Sequence, residues 1–224
     1  MVFLFDIDGT LLQGHGVGRR AVERVLHAWA GHAVDTSAVS FSGKTDPQIF
    51  REIVTTPEAV GETPDDVDAA VAHLLDAYAA DVTATIGEAR VEALPGAVEA
   101  VARAQAAAGP VGLLTGNLEP MAVLKVQRIG FAADAFPFGA YGSDHADRNC
   151  LAPIAARRAS AFLGRDVSTD QLVIVGDTPR DIACARIVGA RAVGVATGRY
   201  DADALAEADV VLDSLDAFDP DAFV

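Results

Sequence analysis

Polar residues follow three strongly apolar segments of the sequence. The segments are Val2–Phe5, Val111–Leu114 and Leu172–Val175, and the polar positions after them include Asp6, Asp8, Thr115, Gly116, Asn117, Asp177 and Asp181. If the segments are parallel strands of one sheet, their carboxyl ends border one crevice, which is where such sheets bind ligands. The sequence therefore predicts that these polar groups meet in a single site.

The carboxylates of this predicted site need a cation. Two like charges about 4 Å apart repel by roughly 4 kcal/mol at an effective dielectric constant of about 20. A hard divalent ion relieves this repulsion, and Mg²⁺ is commonly bound by one or two carboxylates together with water and phosphate oxygens. Because the motifs offer oxygen ligands and no nearby histidine or cysteine, zinc is disfavoured. Mg²⁺ is the predicted cofactor.

Apolar runs alternate with helical patterns along most of the chain. Ala192–Ala196 is a fourth strand candidate, and Phe138–Tyr141 and Val210–Leu212 are shorter ones. The helical patterns between the strands stop at glycines, which are common just after a helix: Gly109, Gly130, Gly164 and Gly189. This alternation predicts an α/β fold whose Rossmann-like core is built on a parallel sheet.

One long segment interrupts this alternation. It has no convincing strand but three helical patterns, the first containing Ala21 and Trp29, the second beginning at Thr45 and the third at Thr63. We predict an inserted all-α domain, called the helical insert below. The predicted limits are 1–13 and 90–224 for the core and 14–89 for the insert, with hinges near Gln13–Gly18 and Gly87–Leu94.

Charge and composition limit the partners. The 224 residues include 17 Lys and Arg but 32 Asp and Glu, for a formal net charge of −15. This charge argues against nucleic acid and anionic membranes, which are bound through clustered basic residues. No segment is long enough to span a bilayer, no signal peptide is evident, and Cys150 and Cys184 lack disulfide or metal spacing. We expect a cytoplasmic monomer or homodimer.

Two short motifs far apart in the chain carry a family resemblance. Residues 6–11 read Asp-Ile-Asp-Gly-Thr-Leu, and residues 176–181 read Gly-Asp-Thr-Pro-Arg-Asp. Together with Thr115 after an apolar segment, they resemble the first, last and second signatures of the haloacid dehalogenase superfamily. The insert between the first and second signatures is similar to the helical cap of phosphoglycolate phosphatase relatives.

The resemblance implies a role for each residue. Asp6 attacks phosphorus and forms an aspartyl phosphate, and Asp8 protonates the leaving alcohol and later accepts a proton from water. Magnesium is bound by Asp6, the backbone carbonyl of Asp8 and Asp177, with Asp181 as a ligand or a neighbour of the ligands. The residues implied on the substrate side are Gly9, Thr10, Thr115, Gly116 and Asn117.

One basic residue differs from the family pattern. The third signature is normally a lysine ahead of a helix, whereas here the best-placed cation is Arg148. We expect its guanidinium group to bridge Asp6 and the phosphate, and we expect Lys125 to face solvent. Lys44 either reaches the substrate or is a surface lysine beside a helix start, and the sequence favours neither. His15 lies near the predicted mouth of the site.

The predicted function is hydrolysis of small phosphate monoesters, with a small phosphorylated metabolite as the partner. The alternatives are a phosphomutase of the same superfamily and a non-catalytic phosphate-binding regulatory protein. Asp6 and Asp8 together favour catalysis, because binding alone needs no acid–base group. Phosphoglycolate, sugar phosphates and nucleoside monophosphates stay open as substrates.

Overall fold

A six-stranded parallel sheet lies at the centre of the computed structural model, which describes residues 1–223. The strands within these residues are β1 (Val2–Phe5), β2 (Leu12–Gln13), β3 (Glu92–Ala93), β4 (Gly112–Leu114), β5 (Gly139–Ala140), β6 (Leu172–Gly176), β7 (Arg191–Val195) and β8 (Val210–Leu212). Their order across the sheet is β5-β4-β1-β6-β7-β8. Strand β1 therefore lies between β4 and β6, so the three segments that precede the polar residues are neighbours. The predicted α/β fold is confirmed.

Helices alternate with these strands and also form the insert. They are α1 (Val17–Ala30), α2 (Asp46–Val54), α3 (Pro57–Val60), α4 (Val67–Thr85), α5 (Ala97–Ala108), α6 (Glu119–Arg128), α7 (Leu151–Leu163) and α8 (Pro179–Ile187). Helices α5 to α8 correspond to the four helical patterns predicted between strands. Among residues 1–223, no helix combines the length and the apolar character needed to cross a membrane.

The sheet is buried on both faces. Phe3 and Phe5 belong to a hydrophobic cluster with residues of α5 and α6, whereas Val2 and Leu4 belong to a second cluster with residues of α7 and α8. Because successive side chains of a strand point to opposite faces, a continuous apolar run suits a strand covered on both sides. Each buried large apolar side chain contributes about 1.5–3 kcal/mol, and this packing fixes the position of the strand ends.

Hydroxyl side chains begin two helices that border the site. Thr178 and Asp181 form a reciprocal capping box at the start of α8. The spacing of Thr45 and Gln48 predicts a second box, but only half of it forms: Thr45 Oγ1 accepts from the Gln48 amide at 3.2 Å, while the Gln48 side chain donates to Glu52 instead. The box at α8 fixes an acidic side chain directly beside the end of β6.

The helical insert has a hydrophobic cluster of its own. Leu26 of α1, Phe50 of α2 and Tyr78 of α4 are buried together, and the rings of Phe50 and Tyr78 pack edge to face with centroids 5.6 Å apart. Leu118 and Met121, at the start of α6 and in its first turn, belong to the same cluster. Helix α6 therefore contacts both the sheet and the insert.

A two-stranded antiparallel ribbon lies at the two predicted hinges. Leu12 of β2 pairs with Ala93 of β3, and Gln13 pairs with Glu92. Within residues 14–89 the structure has no strand, as expected, but it adds the short helix α3, which is too brief to produce a helical periodicity in the sequence. The division into a core and an insert with the limits given above stays a prediction.

Candidate active site

The carboxyl ends of β1, β4 and β6 border one cavity of about 600 Å³. Asp6 follows β1, Thr115 follows β4 and Asp177 follows β6, and all three line the cavity. These residues are 4%, 1% and 3% exposed, respectively. Residues of α1, of α2 and of the segment before α2 form the opposite wall. The structure thus brings the three strand ends together beneath the insert.

Three buried carboxylates form a cluster at this edge of the sheet. Asp6, Asp177 and Asp181 each offer an oxygen, and these atoms lie within 4.8 Å of one another. Burial, followed by repulsion from Asp6 and Asp181, raises the pKa of Asp177 to about 8. Burial also raises the pKa of Asp6 to about 6, although Arg148 opposes the shift. A set of crowded carboxylate oxygens of this kind fits a hard divalent cation.

Two glycines allow the backbone to approach Asp177 closely. A Cβ atom on Gly9, whose φ is +86°, would lie 2.3 Å from Asp177 Oδ2. A Cβ on Gly198 would lie 1.8 Å from the same oxygen. Any other residue at either position would displace this carboxylate. Gly9 therefore leaves room for Asp177, and its implied place beside the substrate stays a prediction.

Thr10 has a different position from the one expected. Thr10 is fully buried and does not line the cavity. Its hydroxyl donates to Asp177 Oδ1 at 3.3 Å. The expected substrate contact is therefore corrected: Thr10 supports a carboxylate of the acidic cluster. The turn after β1 points this side chain inward, and the sequence alone does not specify that direction.

Arg148 lies between the carboxylates of the cluster. Its Nη2 atom is 3.2 Å from Asp6 Oδ1 and pairs with Asp181. Burial alone would lower the pKa of Arg148, but Asp181 and Asp6 raise it overall. Its Nε atom is buried and has no hydrogen-bond partner within residues 1–223. The guanidinium group therefore has one N–H donor, on Nε, that contacts neither Asp6 nor Asp181.

Both oxygens of Asp181 already have donors from the protein. Oδ1 accepts from Arg148, and Oδ2 accepts from the Thr178 amide at 3.0 Å and the Thr178 hydroxyl at 2.7 Å. Of the two roles left open by the sequence, this arrangement favours that of a neighbour that orients Arg148 and the loop after β6.

Asp8 lies apart from the acidic cluster and contacts α6 instead. Its side chain is 44% exposed. Its Oδ2 accepts from Lys125 Nζ at 2.6 Å and from Asn117 Nδ2 at 2.8 Å. Asn117 also donates to Thr115 Oγ1 at 2.8 Å. The Asn117 carboxamide therefore holds two other site residues, in addition to the substrate contact implied for it.

Lys125 was expected to face solvent, and this expectation is wrong. The residue is 3% exposed, because α6 packs against both the sheet and the insert. Met121, Ala122 and Val126 are buried on the same helix, and their spacing places position 125 on the inner side. A lysine within this apolar stripe is the signal that sequence reasoning missed.

The insert contacts the sheet edge through the residues around Asp46. The Asp46 amide donates to the Gly116 carbonyl at 2.8 Å, and its carboxylate accepts from the Leu118 amide at 2.9 Å. A Cβ on Gly116 would lie 2.1 Å from the Lys44 carbonyl oxygen. Burial raises the pKa of Asp46 to about 6, and Lys125 opposes this shift. The sequence predicts a helix start at Thr45 and assigns the neighbouring Asp46 no role in the site.

Basic side chains on the insert wall contact acidic or aromatic partners. Lys44, whose side chain is 9% exposed, lines the cavity and pairs with Glu52. His15 also lines the cavity and lies 2.8 Å from Glu92. The Arg19 guanidinium lies 3.9 Å from the centre of the Phe41 ring. Lys44 is therefore not a surface lysine, although its contact with a substrate stays a prediction.

The parallel sheet, the acidic strand ends and the helical insert are those of a haloacid dehalogenase-type hydrolase, and comparison with known families agrees. The family model for haloacid dehalogenase-like hydrolases matches residues 3–186. The chain belongs to this family. Membership confirms the predicted superfamily and the prediction of an enzyme.

Individual relatives are similar along almost the whole chain. The validoxylamine A 7'-phosphate phosphatase of Streptomyces hygroscopicus subsp. limoneus is 29% identical over 216 residues, which are 96% of this chain and 93% of the relative. CbbY from Rhodobacter sphaeroides, solved in complex with phosphate, has a TM-score of 0.76 at 19% identity, covering 96% of this chain and 95% of its own. The β-phosphoglucomutase of Clostridium difficile has a TM-score of 0.72 at 17% identity, covering 99% and 94%. The two solved structures share the fold.

Proposed function

We propose that this protein is a magnesium-dependent phosphatase that hydrolyses small phosphate monoesters through an aspartyl phosphate on Asp6. One observation carries the proposal: two aspartates separated by a single residue have opposite environments in one cavity. Asp6 is buried beside Arg148 and the acidic cluster, whereas the partly exposed Asp8 is held by Lys125 and Asn117. The first environment suits a nucleophile, and the second suits a group that exchanges protons with substrate and water.

The first chemical step transfers the phosphoryl group to the protein. A carboxylate oxygen of Asp6 forms a bond to phosphorus, and the bond between phosphorus and the ester oxygen breaks. The leaving oxygen takes a proton from Asp8 and departs as an alcohol. Arg148 lines the cavity, and its guanidinium group binds a phosphate oxygen in this step while its Nη2 contacts Asp6.

The second step returns the protein to its starting state. Asp8, now a carboxylate, accepts a proton from a water molecule whose oxygen bonds to phosphorus. The bond between phosphorus and Asp6 breaks, and inorganic phosphate leaves. Over both steps one ester and one water give one alcohol and one phosphate, with each aspartate restored.

The acidic cluster fits the Mg²⁺ that this chemistry calls for. Asp6 and Asp177 would hold the ion, with the backbone carbonyl of Asp8 as the third group implied by the family resemblance. When bound, Mg²⁺ offsets the repulsion between the Asp6 carboxylate and a phosphate dianion. The raised pKa values of Asp6 and Asp177 support this assignment, because burial first, and neighbouring carboxylates after it, disfavour the charged forms that a bound cation would favour.

The substrate is a small phosphorylated metabolite that the cavity can enclose. A volume of about 600 Å³ lies within the range of pockets for drug-sized ligands, about 300–1,000 Å³. The similarity to a phosphatase named for validoxylamine A 7'-phosphate, and to a CbbY variant solved with xylulose-(1,5)bisphosphate, makes that ester and sugar phosphates the first compounds to test. Phosphoglycolate and nucleoside monophosphates belong in the same panel.

The test measures phosphate release from this panel and from 4-nitrophenyl phosphate. We expect turnover with Mg²⁺, loss with EDTA and recovery when Mg²⁺ is restored. Asp6→Asn should lower kcat by roughly 10⁴-fold or more, as removal of other enzymic nucleophiles does. The exposed Asp203 provides a matched control, since Asp203→Asn should keep full activity.

Three outcomes would contradict the proposal. Undiminished phosphate release by Asp6→Asn would remove the nucleophile from the mechanism. No turnover of any ester, with or without Mg²⁺, would favour the phosphate-binding regulatory protein. Conversion of a sugar phosphate into its positional isomer, without free phosphate, would identify a phosphomutase.

A further inference from the structure

Lys125 is a buried cation for which the proposed chemistry has so far given no role. Its Nζ donates to Asp8 Oδ2 and to Asn117 Oδ1, both at 2.6 Å. The residue is 3% exposed, and a buried charge is costly unless it is paired and hydrogen-bonded. The ammonium group is therefore fixed by these two partners, and it fixes them in turn.

The two oxygens of Asp8 have different surroundings. Oδ2 accepts hydrogen bonds from Lys125 and from Asn117. Oδ1 has no hydrogen-bond partner in the described part of the chain, and a Cβ built on Gly14, a cavity-lining residue, would lie 3.6 Å from it. One oxygen is thus held by the protein, and the other faces the cavity.

We propose that Lys125 is a positioning residue for Asp8: by holding Oδ2 together with Asn117, it directs Oδ1 at the leaving oxygen of the substrate. This inference rests on the proposed function. Because Oδ2 accepts two hydrogen bonds, the transferable proton is carried on Oδ1. The proton passes from Oδ1 to the leaving oxygen in the first step, and Oδ1 accepts a proton from water in the second.

The same lysine links Asp8 to the insert. Asp46, in the first turn of α2, accepts from the amide at the start of α6, and the Lys125 ammonium is close enough to act on its carboxylate. Helix α6 carries Lys125 on the side that packs between sheet and insert. The position of Asp8 therefore depends on a helix against which the insert is packed.

The test compares two leaving groups in Lys125→Met, which keeps the unbranched chain and removes the charge. A sugar phosphate, the one that the wild type hydrolyses fastest, releases a poor leaving group that needs a proton. The first turnover of 4-nitrophenyl phosphate releases a phenolate that needs none. Since general acid–base catalysis contributes about 10²–10⁴-fold, we expect kcat for the sugar phosphate to fall by about 10²-fold, with KM nearly unchanged. The 4-nitrophenolate burst should be almost unaffected.

A double variant separates positioning from general damage. If Lys125 acts through Asp8, Lys125→Met in an Asp8→Asn background should cost little beyond Asp8→Asn alone, because residues that act as a unit are non-additive. Arg128→Met removes an exposed cation from the same helix and should leave both substrates unaffected. Lys125→Gln, which keeps a donor, should retain more activity than Lys125→Met and replaces it if the methionine variant does not fold.

The inference would be overturned by equal losses on both leaving groups, or by losses in the double variant that multiply. Both results require a wild-type protein that hydrolyses the two esters, whereas failure of the proposed function would appear as wild-type protein without phosphatase activity or as an active Asp6→Asn protein. The two failures are therefore distinguishable.

Discussion

The two walls of the cavity hold their charges in different ways. On the sheet side, Asp6 and Asp181 share Arg148, and the three side chains are no more than 6% exposed. Each of these contacts joins residues that are far apart in the chain. On the insert side, Lys44 pairs with Glu52, only eight positions later, and the glutamate side chain is 36% exposed.

This difference corresponds to different tasks in the proposed mechanism. Buried and mutually fixed charges on the sheet side suit the phosphoryl group, which is common to every substrate and whose reaction needs preorganised partners. The Lys44–Glu52 pair on the insert side, whose glutamate is partly exposed, can be exchanged for a contact with a leaving group at lower cost. We infer that the sheet side governs turnover and the insert side governs substrate choice.

The strongest test of this contrast is on the sheet side. Arg148→Ala should lower kcat by roughly 10²-fold or more, because it removes a donor that stabilises developing charge and leaves Asp6 and Asp181 without their cation. Arg148→Lys keeps the charge and should recover part of the activity. Steady-state kinetics with 4-nitrophenyl phosphate and melting curves measure both effects. Arg165→Ala, at an exposed position, is the control, and full activity of Arg148→Ala would show that another cation binds the phosphate.

A smaller effect is expected on the insert side. Lys44→Met should raise KM by up to about 10-fold and change kcat little, as expected for a contact made equally in the ground and transition states. The test measures KM and kcat with the sugar phosphate that the wild type hydrolyses fastest. A fall in kcat comparable to that of Arg148→Ala would break the contrast between the walls, and unchanged KM and kcat would exclude Lys44 from substrate binding.

The smallest effect on turnover is expected from a substitution of Asp46, which contacts the amide at the start of α6. Asp46→Ala leaves the buried Leu118 amide without its acceptor, which costs about 1–3 kcal/mol. In a chain of this size each kcal/mol lowers Tm by about 2–4 °C. Thermal unfolding of this variant beside Asp203→Ala checks the prediction. An unchanged Tm would mean that the contact does not stabilise the junction of α2 and α6.

Much of the sheet could be predicted because its signals are local. The continuous apolar run Val2–Phe5 specifies a strand buried on both faces, and Asp6 follows at its end. Helix ends were equally clear, since glycine and proline act on the backbone where they stand. The convergence of Asp6, Thr115 and Asp177 then followed from the geometry of parallel strands.

The directions of individual side chains could not be predicted in the same way. Lys125 is buried because α6 packs against sheet and insert at once, and the sequence does not state which helix faces another element. Thr10 points inward because the turn after β1 places it against Asp177. The role of Asp46 depends on contacts with Gly116 and Leu118, which lie far along the chain. Each of these three side-chain positions is set by tertiary packing, which the local sequence pattern does not specify.

The central claim, a covalent phosphoryl group on Asp6, can be observed directly. The protein is mixed with Mg²⁺ and excess substrate, quenched during turnover, reduced with borohydride and digested for mass spectrometry. An acyl phosphate is reduced to an alcohol, so we expect homoserine at position 6 that is absent when substrate is omitted. Turnover with an unmodified Asp6, or modification at another aspartate, would contradict the account.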